Sequence, residues 1–387
     1  MTSKELSIAS AGFLILLFAA VAGLLVGALA NFYIADNQVN SLNSQVDSLN
    51  KQVAGLESQF SNVRGSQNVT YQNITILQNS TSLTALYGGV RNSIVLIEGD
   101  ISGGTQQGSG FVYTFSDRNV ILTNYHVVQG TTDLSVTFAD GNGYSGTVIG
   151  TDPYSDLAVL SVNAPASEFK PLDIVSSSTL AVGDSVIAIG NPYGLVGSLT
   201  TGVVSALGRT ITEDVAGDYA IANIIQTSTP INPGNSGGPL LNADGNVVGI
   251  TTAIVSNSQG LGFAIPSDTI LKEINDLITT GSYNGHSYLG VEGEDMSYSL
   301  AQETRSSVTY GWRIESVVSG GPSDGKLKVN DIIIALNNQT ITNGDDLASY
   351  LEENTLPGDN LVITFMRGTS QMQVTVILGA RPPPAAT

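Results

Sequence analysis

The sequence predicts a mainly β protein, several strand-rich units set behind an apolar and helical N-terminus. Three observations lead there. First, short apolar runs separated by Gly, Asp and Asn recur between Tyr87 and Ser161: Ser93 to Ile97, Gly110 to Tyr113, Asn119 to Val127, Leu134 to Phe138, Thr147 to Ile149 and Leu157 to Val162. Even spacing of short strands argues for an antiparallel barrel. Second, after the irregular stretch Asn163 to Ser178 a similar set follows: Asp184 to Ile189, Leu199 to Leu207, Ile221 to Thr227, Leu240 to Leu241, Val247 to Ala253 and Gly262 to Ile265. Third, from Ser287 onward the strands Gly311 to Val318, Asp331 to Leu336, Asn360 to Met366 and Gln371 to Leu378 accompany a helix over Asp345 to Asn354, enough chain for a small domain.

Between the second and third units the spacing predicts a helix. Ile270, Ile274 and Leu277 fall on one face, Ser267 offers an N-cap and Gly281 a stop. The N-terminus differs. No charged residue lies between Glu5 and Asp36, and residues 6–34 exceed the ~20 residues a spanning helix needs. Two readings stay open, a retained anchor and a cleaved signal peptide. Ala28-Leu29-Ala30 fits a cleavage site, whereas the apolar length, beyond the ~7–15 residues of a signal core, favours the anchor. Lys4 ahead of the run, with Asp36 and Asp47 behind it, puts residues 1–5 in the cytoplasm and the rest outside.

Over residues 37–64, Val39, Leu42, Val46, Leu49, Val53, Leu56, Phe60 and Val63 alternate at spacings of three and four, the pattern of a short parallel coiled coil. Residues 65–83 form a polar linker. Its sequons at Asn68, Asn73 and Asn79, with a fourth at Asn338, are glycosylation acceptors or chance matches in a chain rich in Asn, Ser and Thr.

Composition excludes several functions. The chain has 387 residues, a formal net charge of −19 and 14 Lys plus Arg, which argues against a nucleic-acid footprint. With no cysteine there is no thiol nucleophile or Cys-bound zinc, and two separated histidines make a poor metal site. Neither a cofactor nor a metal is expected.

The chemistry centres on Asn232-Pro233-Gly234-Asn235-Ser236-Gly237-Gly238-Pro239. Glycines on both sides of a serine let the backbone fold sharply and bring its N–H groups close to whatever the hydroxyl attacks. The base has two candidates. His126 ends the apolar run from Val120; His286 lies in the polar loop Tyr283-Asn284-Gly285-His286-Ser287 and reads as solvated. Asp156 opens a strand-like run, and a buried acid there needs a partner such as a histidine N–H. Asp152, followed by Pro153, reads as a turn residue.

The order His126, Asp156, Ser236 is that of chymotrypsin-like serine proteases. Longer stretches resemble the HtrA (Deg) family: Thr123-Asn124-Tyr125-His126-Val127-Val128, Asp156-Leu157-Ala158-Val159-Leu160, Ala188-Ile189-Gly190-Asn191-Pro192-Tyr193-Gly194, Gly202 to Arg209, Ile231 to Pro239 and Gly262-Phe263-Ala264-Ile265-Pro266. The resemblance covers roughly Leu83 to the C-terminus. It implies a double-barrel serine endopeptidase domain over residues 84–281, a PDZ domain over 286–380 and a disordered tail over 381–387.

The resemblance also implies roles. Gly234 and Ser236 N–H groups form the oxyanion hole, and Ile231, Ile254 and Leu261 line an aliphatic specificity pocket. Gly208 to Asn223 corresponds to the activation loop, with Arg209 at the residue that passes a signal from the PDZ domain. Tyr288, Leu289, Gly290 and Val291 match the loop that binds the carboxylate of C-terminal peptides. Ser228-Thr229-Pro230 departs from the family's Asp-Ala-Ala, so support of the active-site loop differs here, and the short Gly103 to Gln107 loop lacks the extension that builds cages. The expected function is quality control, digestion of misfolded or unfolded proteins outside the cytoplasmic membrane by an anchored trimer. The alternatives are a chaperone or PDZ scaffold with little cleavage, and a processing protease for one membrane substrate.

Overall fold

The computed structural model describes residues 80–191, 197–213, 219–232, 234–252 and 261–382, with Gly23, Gly27, Val46, Ser48 and Lys51 nearer the N-terminus. Contacts divide the chain into Met1–Thr75 and Ile76–Thr387. In the first unit the five described positions are helical and exposed. The expected anchor over 6–34, the coiled coil over 37–64 and the sequons at Asn68, Asn73 and Asn79 otherwise lie outside the described residues. Among the described residues no helix is long and apolar enough to cross a membrane.

The second unit begins with a helix that the strand pattern did not predict, α1 (Ser80–Val90). Leu83, Leu86 and Tyr87 pack it onto the core, although residues to Leu83 read as linker. Next come β1 (Ile94–Ile101), β2 (Gly104–Phe115), β3 (Arg118–Thr123), the one-turn helix α2 (Tyr125–Val128), β4 (Thr132–Thr137), β5 (Gly143–Asp152) and β6 (Leu157–Val162). They close into an antiparallel barrel in the order β1-β2-β3-β6-β5-β4. A second barrel comprises β7 (Ser185–Gly190), β8 (Ser198–Glu213), β9 (Tyr219–Thr227), β10 (Pro239–Leu241), β11 (Val247–Thr252) and β12 (Gly262–Pro266). Its order, β10-β11-β12-β9-β8-β7, repeats that of the first. The double barrel expected from the sequence is therefore present.

Side chains on successive strand residues point to opposite faces. Val95, Val112, Ile121 and Leu160 fill the first barrel. Their neighbours Ile94, Phe111, Leu122 and Val159 join Ile187, Ile189 and Ile250 in a cluster shared by both barrels. Both faces are buried, so runs such as Val120-Ile121-Leu122 are continuously apolar instead of alternating. Helix α3 (Ser267–Thr279) adds Ile270, Ile274 and Leu277 to that cluster. Ser267 is its first residue and not its cap, because the Ser267 hydroxyl donates to the Val175 carbonyl at 2.5 Å. Gly281, at φ +84°, ends the helix with its N–H on the Asp276 carbonyl, as the sequence predicts.

The C-terminal domain holds β13 (Ser287–Tyr288), β14 (Val291–Asp295), α4 (Tyr298–Thr304), β15 (Trp312–Val317), β16 (Ile332–Leu336), β17 (Gln339–Thr340), α5 (Gly344–Asn354), β18 (Asn360–Arg367), β19 (Ser370–Ile377) and β20 (Gly379–Ala380). Its sheet runs β14-β15-β16-β18-β19, and β13 pairs with β20. The Asn343 side chain caps α5 by accepting from the Asp346 N–H at 2.8 Å. Asn338 sits exposed between β16 and β17. The predicted tail starts too early. Arg381 donates from its backbone to the His286 carbonyl, and its guanidinium lies 4.0 Å from the Tyr154 ring centroid. Residues 383–387 lie outside the described residues.

Candidate active site

His126, Asp156 and Ser236 each sit in a connection at the end of a barrel strand. β3 runs into Asn124 and the turn of α2, whose Val127 and Val128 plug the first barrel and fix the helix that carries His126. Asp156 occupies the turn between β5 and β6, fully buried, at φ +51°. A non-Gly residue at positive φ is costly unless its surroundings hold it there. Here they do. The Asp156 carbonyl accepts from the Tyr125 N–H at 3.0 Å and from Asn124 Nδ2 at 3.1 Å.

Three donors converge on the Asp156 carboxylate. Oδ1 accepts the His126 backbone N–H at 2.9 Å, and Oδ2 lies 2.8 Å from His126 Nδ1. Thr252 Oγ1, from the second barrel, donates to Oδ2 at 3.2 Å. With Nδ1 of His126 occupied as a donor, Nε2 is the nitrogen left to accept a proton.

Ser236 is almost buried, inside a turn braced from two strands. From β2, the Ser109 N–H donates to the Ser236 carbonyl at 2.8 Å, and Ser109 Oγ donates to the Gly234 carbonyl at 2.5 Å. On β11, Thr251 accepts the Gly237 N–H at 2.9 Å and returns its own N–H to Gly238 and its hydroxyl to Asn235. β2 also serves the histidine, since Gln106 Nε2 donates to the His126 carbonyl. β11 also serves the aspartate, through Thr252. Gly237 sits at φ +84°, where a Cβ would fall 2.1 Å from the Ser109 carbonyl oxygen. Only glycine fits. Gly234 has φ +97° as well.

The remaining predicted residues are placed unevenly. Ile231 is half-buried against the second barrel's core, Leu261 is exposed, and Ile254 lies outside the described residues. Where an activation loop was expected, β8 and β9 continue as paired strands, Ile211 with Ile221 and Glu213 with Tyr219, because both isoleucines join the shared core. Residues 214–218 lie outside the described residues, as do 192–196. Arg209, on β8, forms a 3.2 Å ion pair with Asp345 at the start of α5. Ser228-Thr229-Pro230 is knit in by hydroxyls: Ser228 Oγ accepts the Val203 N–H, and buried Thr229 bonds Thr227 at 2.8 Å. Tyr288, Leu289, Gly290 and Val291 line a cavity of about 290 Å³ together with Trp312 and Leu347.

Two expectations are overturned. His286 is not solvated and Asp152 is more than a turn residue. His286 is 4% exposed, with Nε2 2.6 Å from Asp152 and Nδ1 2.9 Å from Glu352. Burial opposes its charge, yet the two carboxylates outweigh that and lift its pKa to about 9. Burial likewise works against Glu352, but the His286 and Lys272 cations bring its carboxyl down to about 2. Asp152, Glu273 and His286 bring their side-chain donor atoms within 4.8 Å of one another, a geometry that could hold a cation. Both imidazole nitrogens already face carboxylates, so a protonated ring fills that role. The sequence carried one signal for this: a histidine in a chain with only two, lying between Tyr283 and Tyr288.

Comparison with known proteins agrees with this geometry. A trypsin-like peptidase domain family matches residues 108–250, and a PDZ domain family matches 287–378. A serine protease named HhoA from Synechocystis sp. is 37% identical over 279 residues, 70% of each chain. A periplasmic DegP-like serine endoprotease from Chlamydia muridarum is 38% identical over 274 residues, covering 70% of this chain and 53% of its own. Across such curated relatives the chain spans 53% to 70% of their length. Among solved structures, the HtrA-type protease AlgW with a tripeptide superposes with a TM-score of 0.64 at 30% identity, over 78% of this chain and 98% of its own. The chain belongs to the HtrA family of serine proteases, with a trypsin-like domain and one PDZ domain.

Proposed function

We propose that the protein is an anchored serine endopeptidase that hydrolyses misfolded or unfolded proteins outside the cytoplasmic membrane through the triad Ser236, His126 and Asp156. The carrying observation is the buried Asp156 carboxylate bonded to both the backbone and Nδ1 of His126, on strands that also brace the serine turn. In this reading Ser236 Oγ attacks the scissile carbonyl while His126 Nε2 takes its proton. Asp156 keeps the imidazole in the needed tautomer and stabilises its cation. The Gly234 and Ser236 N–H groups receive the oxyanion, each donor contributing about 3–4 kcal/mol in comparable sites. The imidazolium then protonates the leaving amine, and water resolves the acyl-enzyme by the reverse sequence. Ile231, Ile254 and Leu261 select a small or medium apolar side chain before the cut.

The apolar run over 6–34 serves as the anchor and the heptads over 37–64 as a trimerising stalk. Tethering in a membrane raises the effective concentration of the weak seam. A periplasmic relative supports the extracytoplasmic side. The PDZ cavity takes the C-terminus of a peptide as an added strand, its carboxylate on the Tyr288 to Val291 loop.

Casein digestion by the full chain beside its Ser236→Ala variant tests the activity. The native chain is expected to cleave and the variant to retain its fold without turnover. Digestion by a clean Ser236→Ala preparation would exclude the assignment. Fragment termini from the same digest report the pocket, and cleavage mainly after Lys or Arg would exclude the aliphatic assignment.

A further inference from the structure

Three residues separate the aspartate of the proposed triad from Asp152, in a buried polar cluster that the mechanism does not use. Asp152, at the end of β5, and Asp156 bound one turn, Asp152-Pro153-Tyr154-Ser155-Asp156. At the Asp156 end the turn orients His126. Elsewhere it meets the His286 loop and α3, and through His286 it reaches α5. Asp152 Oδ2 holds His286 Nε2 at 2.6 Å, and Asp152 Oδ1 accepts the Tyr154 N–H at 3.0 Å. Ser155 Oγ donates to Glu273 Oε1, on α3, at 2.6 Å. Glu352, on α5 of the PDZ domain, takes the second His286 nitrogen and pairs with Lys272 at 3.0 Å.

The surroundings of His286 are complete on every side. The Tyr283 and Tyr154 rings stand edge-on to it, at 5.0 and 5.3 Å between centroids. Lys272 lies over Tyr283, and Arg381 over Tyr154. Asp276 adds negative charge near Tyr283. Glu273 is fully buried, and its Oε2 has no hydrogen-bond partner among the described residues. An ionised carboxylate with a bare oxygen is costly at such a site. Burial, then the charge of Asp152, raises the Glu273 carboxyl well above its ordinary range.

We infer that Glu273 and His286 are positioning residues for Asp156, clamping the 152–156 turn so that the carboxylate stays in register with His126. The inference rests on the proposed triad. Two features favour it over a purely structural domain contact. The clamp grips the same turn that holds Asp156, at its neighbour Ser155. Also, His286 and Glu352 line the PDZ cavity together with Tyr288 to Val291, so a peptide seated there would meet the pair that holds Asp152.

The test uses the full chain, with an apolar peptide substrate and a fluorophosphonate that labels activated serines. Rates are read from about pH 6 to pH 10, a range that brackets the ordinary histidine value. In the native chain, kcat is expected to fall on the alkaline side with a midpoint near the His286 value of about 9. In His286→Gln the alkaline limb should vanish, with kcat about 10-fold lower and KM unchanged. Ser155→Ala, which leaves the ion cluster whole, should lower kcat by about 10-fold. Glu273→Gln, which keeps the side-chain volume and an acceptor for Ser155, should restore what Glu273→Ala loses. Wild-type kcat and an unchanged pH profile in folded Ser155→Ala overturn the inference, whether or not His286→Gln folds. Equal losses in Glu273→Gln and Glu273→Ala also overturn it. A native chain whose Ser236 is never labelled overturns the protease reading itself, a result distinct from labelled serine with an insensitive profile.

Discussion

Thr252 shows how one hydroxyl can belong to two barrels. It lies on β11 of the second barrel and donates to the aspartate of the first, while its neighbour Thr251 holds the serine turn. Two threonines in a strand buried on both faces need partners, because an unsatisfied buried polar group costs about 1–3 kcal/mol. That requirement was legible: Thr251-Thr252 follow Val247-Val248-Gly249-Ile250 in a run read as a buried strand. The partners were not legible: Asp156 lies 96 residues before Thr252, and the serine turn meets Thr251 only once the barrel has closed. Thr252→Val keeps the volume and removes the bond. Its expected effect is a kcat about 10-fold lower at unchanged KM, with stability within about 1 kcal/mol of the native chain. Unchanged kcat in a folded variant would show that Asp156 needs no support from the second barrel.

At the level of elements, α3 connects most of the molecule. Its apolar stripe Ile270, Ile274 and Leu277 was read from helical spacing, and all three are buried in the cluster shared by both barrels. Its polar face carries Lys272 and Glu273 into the cluster around His286. One helix therefore supplies hydrophobic closure and charge to the same junction. Ile274→Ala should cost about 2–5 kcal/mol in denaturant unfolding, as for other buried large-to-small changes. A loss below about 1 kcal/mol would place the stripe outside the cooperative core. By contrast, the exposed Arg209–Asp345 pair is worth about 0–1 kcal/mol. Its use is geometric, setting the start of α5 against β8. α1 escaped the sequence reading because its apolar residues follow a polar stretch, and Gly88-Gly89 near its end are poor helix formers.

Across the whole second unit, the two domains are joined by charge buried at their junction. The His286 pKa is raised from 6.5 to about 9, so its contribution to stability is complete below 6.5 and fades as pH rises through about 9. Glu352 acts in the opposite direction. Its pKa is lowered from 4.5 to about 2, so its contribution holds above 4.5 and fades as pH falls through about 2. The His286 shift corresponds to something on the order of 3 kcal/mol. Thermal melts of the full chain should therefore lose stability between about pH 7 and pH 10, and His286→Gln should flatten that slope. A native chain with a level melting temperature across that range would mean the imidazole is not charged in the folded state.

The sequence by itself determined the fold class, the two barrels and the PDZ domain, and it singled out His126, Asp156 and Ser236. The strand sets, the helices and the serine turn rest on local rules: strand periodicity, turn residues, helical spacing and glycines around a serine. The double barrel and the PDZ domain rest on the resemblance to the HtrA family. The tertiary structure alone decided which strands brace the site and what the second histidine does. Local pattern around His286 is polar and loop-like, and solvent is the right expectation for such a loop in isolation. Its partners Asp152 and Glu352 lie 134 residues before it and 66 after it. Only the docking of the PDZ domain onto β5 and α3 brings them within hydrogen-bond reach. Burial then binds three titratable groups into one charged unit, because removing water leaves each charge to be balanced by its neighbours.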